Sequence, residues 1–392
     1  MSKRRAIILV CDSLGVGELP DAAEFGDEGS DTLGHVLRDA EPKLPTLTRL
    51  GLLHTLATPP TGLPEPVAAW GKMAQRSAGK DTTTGHWEMM GLITDEPFRT
   101  YPEGFPPEVI EEFERRIGRK TLGNRPASGT VIIEELGREH IDTGKPIVYT
   151  SGDSVFQVAA HEDVIPIEEL RRICEIARAL MRGEHNVGRI IARPFVGEPG
   201  NLKRTANRKD FSVPPPSETY LDRIRRGGKR VAAIGKIADI FDRIGIDDEI
   251  RSESNSDGMR ITTELTVRDD SADLIFTNLV DFDSKYGHRN DPAGYGRALE
   301  TFDAELASFL EVLREDDLLF ITADHGCDPS DESTDHTREY VPLIVAGPRI
   351  GHQISLGIRP LFADLGATVA NYLGADRTGM PGESLLPRLE IS

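Results

Sequence analysis

Cysteine is scarce: Cys11, Cys174 and Cys327 are the only three in 392 residues. So sparse a set builds neither a disulfide framework nor a structural zinc site. Long apolar runs are missing as well, and none approaches the ~18–20 residues that a membrane-crossing helix needs. The basic start, Lys3-Arg4-Arg5, leads into the apolar run Ala6–Cys11, but Asp12 ends that run too soon for a secretory core. It reads as a first buried strand, and cytoplasmic residence is the default expectation. Positive charge is short too: 46 Lys and Arg face 65 Asp and Glu, a formal net of −19. Such a surface repels nucleic-acid backbones and anionic membranes, so neither is expected as a partner. If the substrate is phosphorylated, its charge must be met locally by metal ions or by clustered Arg and Lys. No internal repeat is visible.

What is present suits a globular α/β protein. With 38% hydrophobic and 28% charged residues, the chain can fill a sizeable core and still dissolve. Short apolar runs without alternation read as strands covered on both faces: Ala6–Cys11, Ile147–Thr150, Arg189–Phe195, Arg230–Ile234, Leu274–Val280, Leu318–Thr322 and Val341–Ala346. Helical spacing lies between them. In Tyr295–Arg314 it aligns Leu299, Phe302, Leu306, Leu310 and Leu313; Ile167–Met181 and Leu361–Leu373 repeat the pattern. Strands alternating with helices predict a mostly parallel sheet flanked by helices. Residues from about 99 to 216 are rich in Pro, Gly and charge and end in Pro214-Pro215-Pro216. They are expected to form an inserted second domain of α+β type, leaving residues 1–98 and 217–392 as a discontinuous core. The basic run Arg223–Arg230 reads as a solvated helix end and turn before a strand.

Three strands run into carboxylates. Asp12 follows the first, Asp281-Phe282-Asp283 follows the one at Leu274–Val280, and Asp324-His325 follows Leu318–Thr322 by one residue. Ligands of an open parallel sheet bind beyond the carboxyl ends of its strands, so these groups can meet although far apart in sequence. His288 and His336 lie close behind in the same loops. Asp12, Asp283, His288, Asp324, His325 and His336 form a mixed oxygen and nitrogen set, too large for one catalytic ion and suited to two, about 3.5–4 Å apart. A lone Asp after a strand is usually a turn or cap residue. Here, however, one loop, ITADHGCDPSDESTDHTRE, concentrates two of the histidines and several aspartates. Asp281, Asp328, Asp331 and Asp335 are the neighbours most easily mistaken for ligands. A nucleophile is suggested by Gly79-Lys80-Asp81-Thr82-Thr83-Thr84-Gly85-His86, where a metal-activated hydroxyl could attack phosphorus. The same cluster also suits a plain helix cap, and local chemistry does not choose among Thr82, Thr83 and Thr84.

The segments CDSLGVGELPDAAEFGDEGSDTLGH, GKDTTTGHWEMMG, GNRPASGT, YTSGDSVFQVAAHE, IARPFVGEPGN, NLVDFDSKYGHRNDPAGYG, ITADHGCDP and TDHTREYVPLI follow one another in the order of a known family. The chain resembles, end to end, the prokaryotic phosphopentomutases of the alkaline-phosphatase superfamily. The resemblance implies an alkaline-phosphatase-like core and an isomerase that interconverts ribose 1-phosphate and ribose 5-phosphate, and the 2-deoxyribose pair. It assigns one ion to Asp12, Asp324 and His325 and the other to Asp283, His288 and His336, with two Mn²⁺ the usual metals. Thr82, which follows Lys80-Asp81, takes the place of the family's phosphorylated threonine, primed by a catalytic sugar bisphosphate. The inserted domain becomes a cap that excludes water from the sugar. Asp153 is a candidate for the sugar hydroxyls, and Arg189, Arg193, Arg204, Arg208 and Lys236 are candidates for the phosphate away from the metals. A monomer acting on small pentose phosphates is expected. The sequence departs from the family at Cys327, where Asn is expected, and at Thr83, where Met is common. The rival readings are a metal-dependent phosphatase, a cofactor-independent phosphoglycerate mutase, and a non-catalytic binding protein on the same scaffold.

Overall fold

The computed structural model of the chain describes residues 4–151 and 154–389. It divides into two compact units, Met1–Pro97 with Pro215–Ser392 and, separately, Phe98–Pro214.

The first unit is built on an eight-stranded sheet. From edge to edge its strands are Asp248–Ile250, Val231–Ile234, Leu274–Leu279, Arg5–Cys11, Asp317–Thr322, Val341–Ala346, Ala69–Met73 and Ile354–Arg359. Only Val341–Ala346 runs antiparallel to its neighbours. The α/β class read from the sequence is therefore present, with a mostly parallel sheet. The Arg5–Cys11 strand is buried along its whole length, as expected when helices cover both faces. Its first residue is an arginine, neutralised by a two-pronged contact with Asp317, the register partner across the sheet. Removing Asp317 would leave a buried unpaired guanidinium, a change that costs about 3–5 kcal/mol.

Register decides where the chemistry lies. Cys11 pairs with Leu279 and Val10 with Thr322, both in parallel. The three chains therefore leave the sheet at the same edge, and Asp12, the Asp281–Asp283 turn and Asp324 open onto one spot.

The helix Pro292–Leu310 starts on Asp291, whose carboxylate accepts from Gly294 N, with Pro292 in the first turn. It buries Leu299, Phe302, Leu306 and Phe309. The predicted stripe through Leu310 and Leu313 is thus corrected at its C-terminal end. The helix stops at Leu310, and Phe309 takes the inward position. Three strands of this sheet are not among the apolar runs of the sequence, one of them the three-residue edge strand Asp248–Ile250. Ala69–Met73 alternates buried with half-buried residues, and Ile354–Arg359 is an edge strand with a register shift at Gly357. Neither has the unbroken apolar run that marks a central strand.

The second unit has its own mixed sheet, in the order Leu122–Pro126, Ile147–Thr150, Val155–His161, Arg189–Val196 and Lys203–Arg204, with Lys209–Ser212 also pairing Arg189–Val196. Its strands alternate side chains between two cores. Phe156, Val158, Ala160, Ile190 and Ala192 pack with the helices Pro107–Ile117 and Ile167–Leu180. Tyr149, Ala159 and Phe195 pack on the other face with Ile132 and Ile133 of the helix Gly129–Thr143. Among the described residues no helix is long and apolar enough to cross a membrane.

Candidate metal centre

The six residues chosen at the strand ends come together. His325 Nε2 lies 3.2 Å from Asp324 Oδ2 and 3.6 Å from Asp12 Oδ1. Asp283 holds one oxygen 3.3 Å from His336 Nε2 and the other 3.3 Å from His288 Nε2. The two imidazole nitrogens of His288 and His336 are themselves 3.2 Å apart. Asp12, Asp324 and His325 form one group of closely spaced ligand atoms. Asp283, His288 and His336 form a second by these distances. His325 is in reach of that group too, its ring stacked 3.7 Å from that of His336. Asp12, Asp324 and His325 are almost wholly buried.

Outer contacts aim these side chains. Asn278 Nδ2 donates to Asp12 Oδ2 at 3.0 Å, and Ser13 N donates to Asp324 Oδ1 at 3.2 Å. The Nδ1 atoms of His288, His325 and His336 lie against the carbonyls of Thr334, Gly326 and Lys80. An Nδ1–H bound in that way leaves Nε2 bare and turned inward, which is the tautomer a metal ligand requires.

The electrostatics suit a divalent cation. Among the described residues Asp12 Oδ1, Asp283 Oδ1 and Asp324 Oδ2 are buried without a hydrogen bond. Unpartnered buried carboxylate oxygens are costly unless a cation serves them. Burial, with the Asp324 and Asp283 carboxylates alongside, pushes Asp12 up to about 6. Burial acts against Asp324 as well, but the nearby His325 and His86 hold it well below the usual carboxylate range. His325 pays the burial cost and is still driven up to about 10 by Asp324 and Asp12. Three buried carboxylates thus share one small space, and that arrangement is costly without positive charge beside them. Divalent ions would supply that charge, so the residues fit the metals that their types and positions suggested.

The threonines at this helix start are placed differently. Thr82 opens the helix Thr82–Met89, and its Oγ1 stands 3.2 Å from His325 Nε2. Thr84 is occupied elsewhere, since its hydroxyl and its N–H both bond Asp81, the helix cap. A side chain at Gly85 would strike the Asp324 carbonyl oxygen at 2.2 Å, so glycine there lets the helix approach the metal loop. His86 Nδ1 lies 2.9 Å from the Thr82 carbonyl oxygen and 3.2 Å from Asp324 Oδ2. Sequence reasoning does not single out His86 and Asn278 as site residues. The available signal for His86 is its place four residues after Thr82, which is one helical turn.

Other expected residues fall in different places. Asp281 accepts from Asn255 N, and Asp328 contacts His35 and accepts from Asp31 N, so both are held away from the cluster. Cys327 is buried, its thiol pushed up to about 12 by burial despite His288 nearby, and its sulfur also lies among the closely spaced ligand atoms of Asp283 and His288. Arg193, Arg204 and Arg208 gather round Tyr149 in the second unit, where Asp210 contacts both Arg189 and Arg208. Burial and the adjacent Arg208 lower Arg193 to about 10, a mark of crowded positive charge. Lys236 is not part of that group. It lies in the first unit, close enough to Asp12 to favour its ionised form. Asp153 lies outside the described residues.

The Metalloenzyme superfamily family model matches residues 4–377. A phosphopentomutase of Caldanaerobacter subterraneus subsp. tengcongensis is 58% identical over 383 residues, covering 96% of each chain. The chain belongs to the phosphopentomutases. Another relative of that name, from Acetivibrio thermocellus, is 56% identical over 387 residues and covers 98% of this chain and 99% of its own. Membership makes the chain an isomerase, and the superfamily together with the clustered ligands makes it one that uses divalent metal. The solved PH0037 protein of Pyrococcus horikoshii is 15% identical, with a TM-score of 0.51 over 98% of this chain and 100% of that one. That likeness concerns the fold alone.

Proposed function

We propose that the chain interconverts ribose 1-phosphate and ribose 5-phosphate, and the 2-deoxyribose pair, through a phosphothreonine at Thr82 and a pentose 1,5-bisphosphate. The observation that carries this reading is Thr82 Oγ1, 3.2 Å from His325 Nε2, at the N-terminus of a helix that meets the buried Asp and His cluster. We assign the first ion to Asp12, Asp324 and His325, the second to Asp283, His288 and His336, and take both as Mn²⁺. When bound, such ions neutralise phosphoryl oxygens and ease loss of a hydroxyl proton at neutral pH.

The chain's own residues then have distinct tasks. Phosphothreonine 82 gives its phosphoryl group to the free hydroxyl of the pentose monophosphate. The Oγ–P bond breaks as the new O–P bond forms, and the hydroxyl proton is balanced by the one taken up at the released Thr82 oxygen. The bisphosphate turns, its other phosphate returns to Thr82, and no phosphate is lost to water. The helix N-terminus favours the phosphoryl charge at Thr82 in both directions. Lys236, near Asp12, adds positive charge on that side. Arg189, Arg193, Arg204 and Arg208 hold the phosphate not in transfer, and Asp153 orients the sugar. The inserted unit acts as the cap that keeps water from the phosphothreonine. Primed by a catalytic sugar bisphosphate, the enzyme works as a cytoplasmic monomer.

The test combines turnover with mapping. With Mn²⁺, a trace of sugar bisphosphate and ribose 1-phosphate, ribose 5-phosphate is expected, with phosphate found on Thr82 by mass spectrometry. Thr82→Ala should lose at least ~10⁴-fold in turnover, the scale seen when a nucleophile is removed, and keep its metal. Steady release of free phosphate in place of isomerisation would turn the reading towards a phosphatase.

A further inference from the structure

Residues 75 to 80 connect the Ala69–Met73 strand to the cap of the Thr82 helix and have no repetitive structure of their own. A buried segment of that kind must find partners for its backbone elsewhere. Two of its N–H groups, those of Arg76 and Ser77, donate to Glu88 on the same helix, and that of Ala78 donates to the Thr94 carbonyl. Its carbonyls go to Arg338. One guanidinium nitrogen donates to Ser77 O at 2.7 Å, Gly79 O at 3.1 Å and Gln75 Oε1 at 3.1 Å, and the other to Gln75 O at 3.1 Å. The remaining donors meet Asp21, and the guanidinium lies 4.7 Å from the Phe25 ring centre. Arg338 is 3% exposed, so water does not compete for these bonds. Two residues earlier in the chain, His336 Nδ1 meets the Lys80 carbonyl at 3.1 Å. One short stretch, 336 to 338, therefore holds the connection at Gln75, Ser77, Gly79 and Lys80 and contributes a residue of the metal cluster.

We propose that Arg338 is a positioning residue that sets Thr82 against the metal cluster by holding the carbonyls of Gln75, Ser77 and Gly79. The inference rests on the assignment of Thr82 as the phosphorylated residue. A guanidinium suits the task because its donors form a rigid planar fork that reaches several carbonyls at once. A lysine nitrogen could stand in for the one that meets Ser77 and Gly79, but it offers no second and third nitrogen for Gln75 O and Asp21.

The experiment is steady-state kinetics on the full-length, Mn²⁺-loaded protein, with metal content and phosphate mapping alongside. Arg338→Lys is expected to lower kcat by about 10²-fold, the cost of an ångström-scale misplacement, with KM and bound Mn²⁺ near those of the unaltered protein. Added guanidinium ion should restore part of the kcat of Arg338→Ala. Unchanged kcat in Arg338→Lys, or loss of kcat in step with loss of metal, overturns the inference. If the lysine variant does not fold, Asp21→Asn, which loosens the outer side of the fork, is read by the same split, and an unchanged kcat there overturns it equally. Failure of the underlying assignment looks different: the unaltered protein would then carry its phosphate on a residue other than Thr82.

Discussion

The first unit gathers carboxylates and imidazoles, and the second gathers guanidiniums. Asp12, Asp324 and His325 are short side chains fixed at the ends of central strands and almost completely buried. Arg189, Arg204 and Arg208 are long side chains at the start of an inner strand, on an edge strand and beside a turn, two of them with Asp210 as a carboxylate neighbour. In the proposed function both collections meet phosphate charge, one through metal ions and the other directly. The difference lies in what each must hold. A metal needs several oxygen and nitrogen atoms within about 2 Å of one point, which rigid strand ends can supply. A phosphate accepts several geometries from flexible donors.

The largest effects should fall on the first collection. Asp324→Asn removes a charge from the group formed with Asp12 and His325. Loss of several kcal/mol of transition-state stabilisation is expected, on the order of 10³-fold in kcat, with less metal retained by elemental analysis. Full turnover at normal metal content would mean that the cluster is not the reaction centre. Thermal melting provides the matching ligand test. Mn²⁺ at 100 times its Kd should stabilise the native protein by about 2.7 kcal/mol. Asp324→Asn should need far more metal for the same rise in Tm. The arginine collection should respond less and in another parameter. Arg204→Ala should raise KM for ribose 5-phosphate by about 10- to 100-fold, the worth of one charge-assisted bond, and change kcat less. An Arg204 effect confined to kcat would erase the distinction between the two collections.

The same contrast explains how much of the molecule is legible in its sequence. The strands that lead to Asp12, Asp283 and Asp324 are mostly apolar, with Thr277 and Asn278 in the second, and a carboxylate follows each within two residues, so strand and ligand announce each other. Their meeting follows from parallel register, which the α/β pattern implies. The Ala69–Met73 and Ile354–Arg359 strands escape such a reading because a half-buried or edge strand contains Lys72, Ser355 and Arg359 among its apolar residues. Local chemistry cannot separate Thr82 from Thr84, because the separation depends on which hydroxyl Asp81 captures. Arg338 and Glu88 carry no signal either. Their partners are main-chain groups of a loop whose path the sequence does not display.

The smallest effect concerns pH, and here the two units should respond with opposite sign. In the second unit His140 is fully buried. Its Nδ1 lies 2.7 Å from the Lys145 carbonyl and its Nε2 accepts from His161 N, which together require the neutral ring. Burial lowers it below the ordinary value of 6.5. Between the two values the unfolded chain binds the extra proton, so this group's contribution is present above 6.5 and is lost as pH falls. In the first unit Glu339 is buried and accepts from Gly17, Thr32 and Thr337. Burial is the main cause that raises it from 4.5 to about 7. There the native chain holds the extra proton, so the contribution is full below 4.5 and declines as pH rises through 7. Moving from pH 7.5 to 5.5 should therefore weaken amide-exchange protection around residues 140 to 161 and strengthen it around 326 to 339, after correction for intrinsic exchange rates. Parallel change in both regions would show that global charge, and not these two buried groups, sets the response.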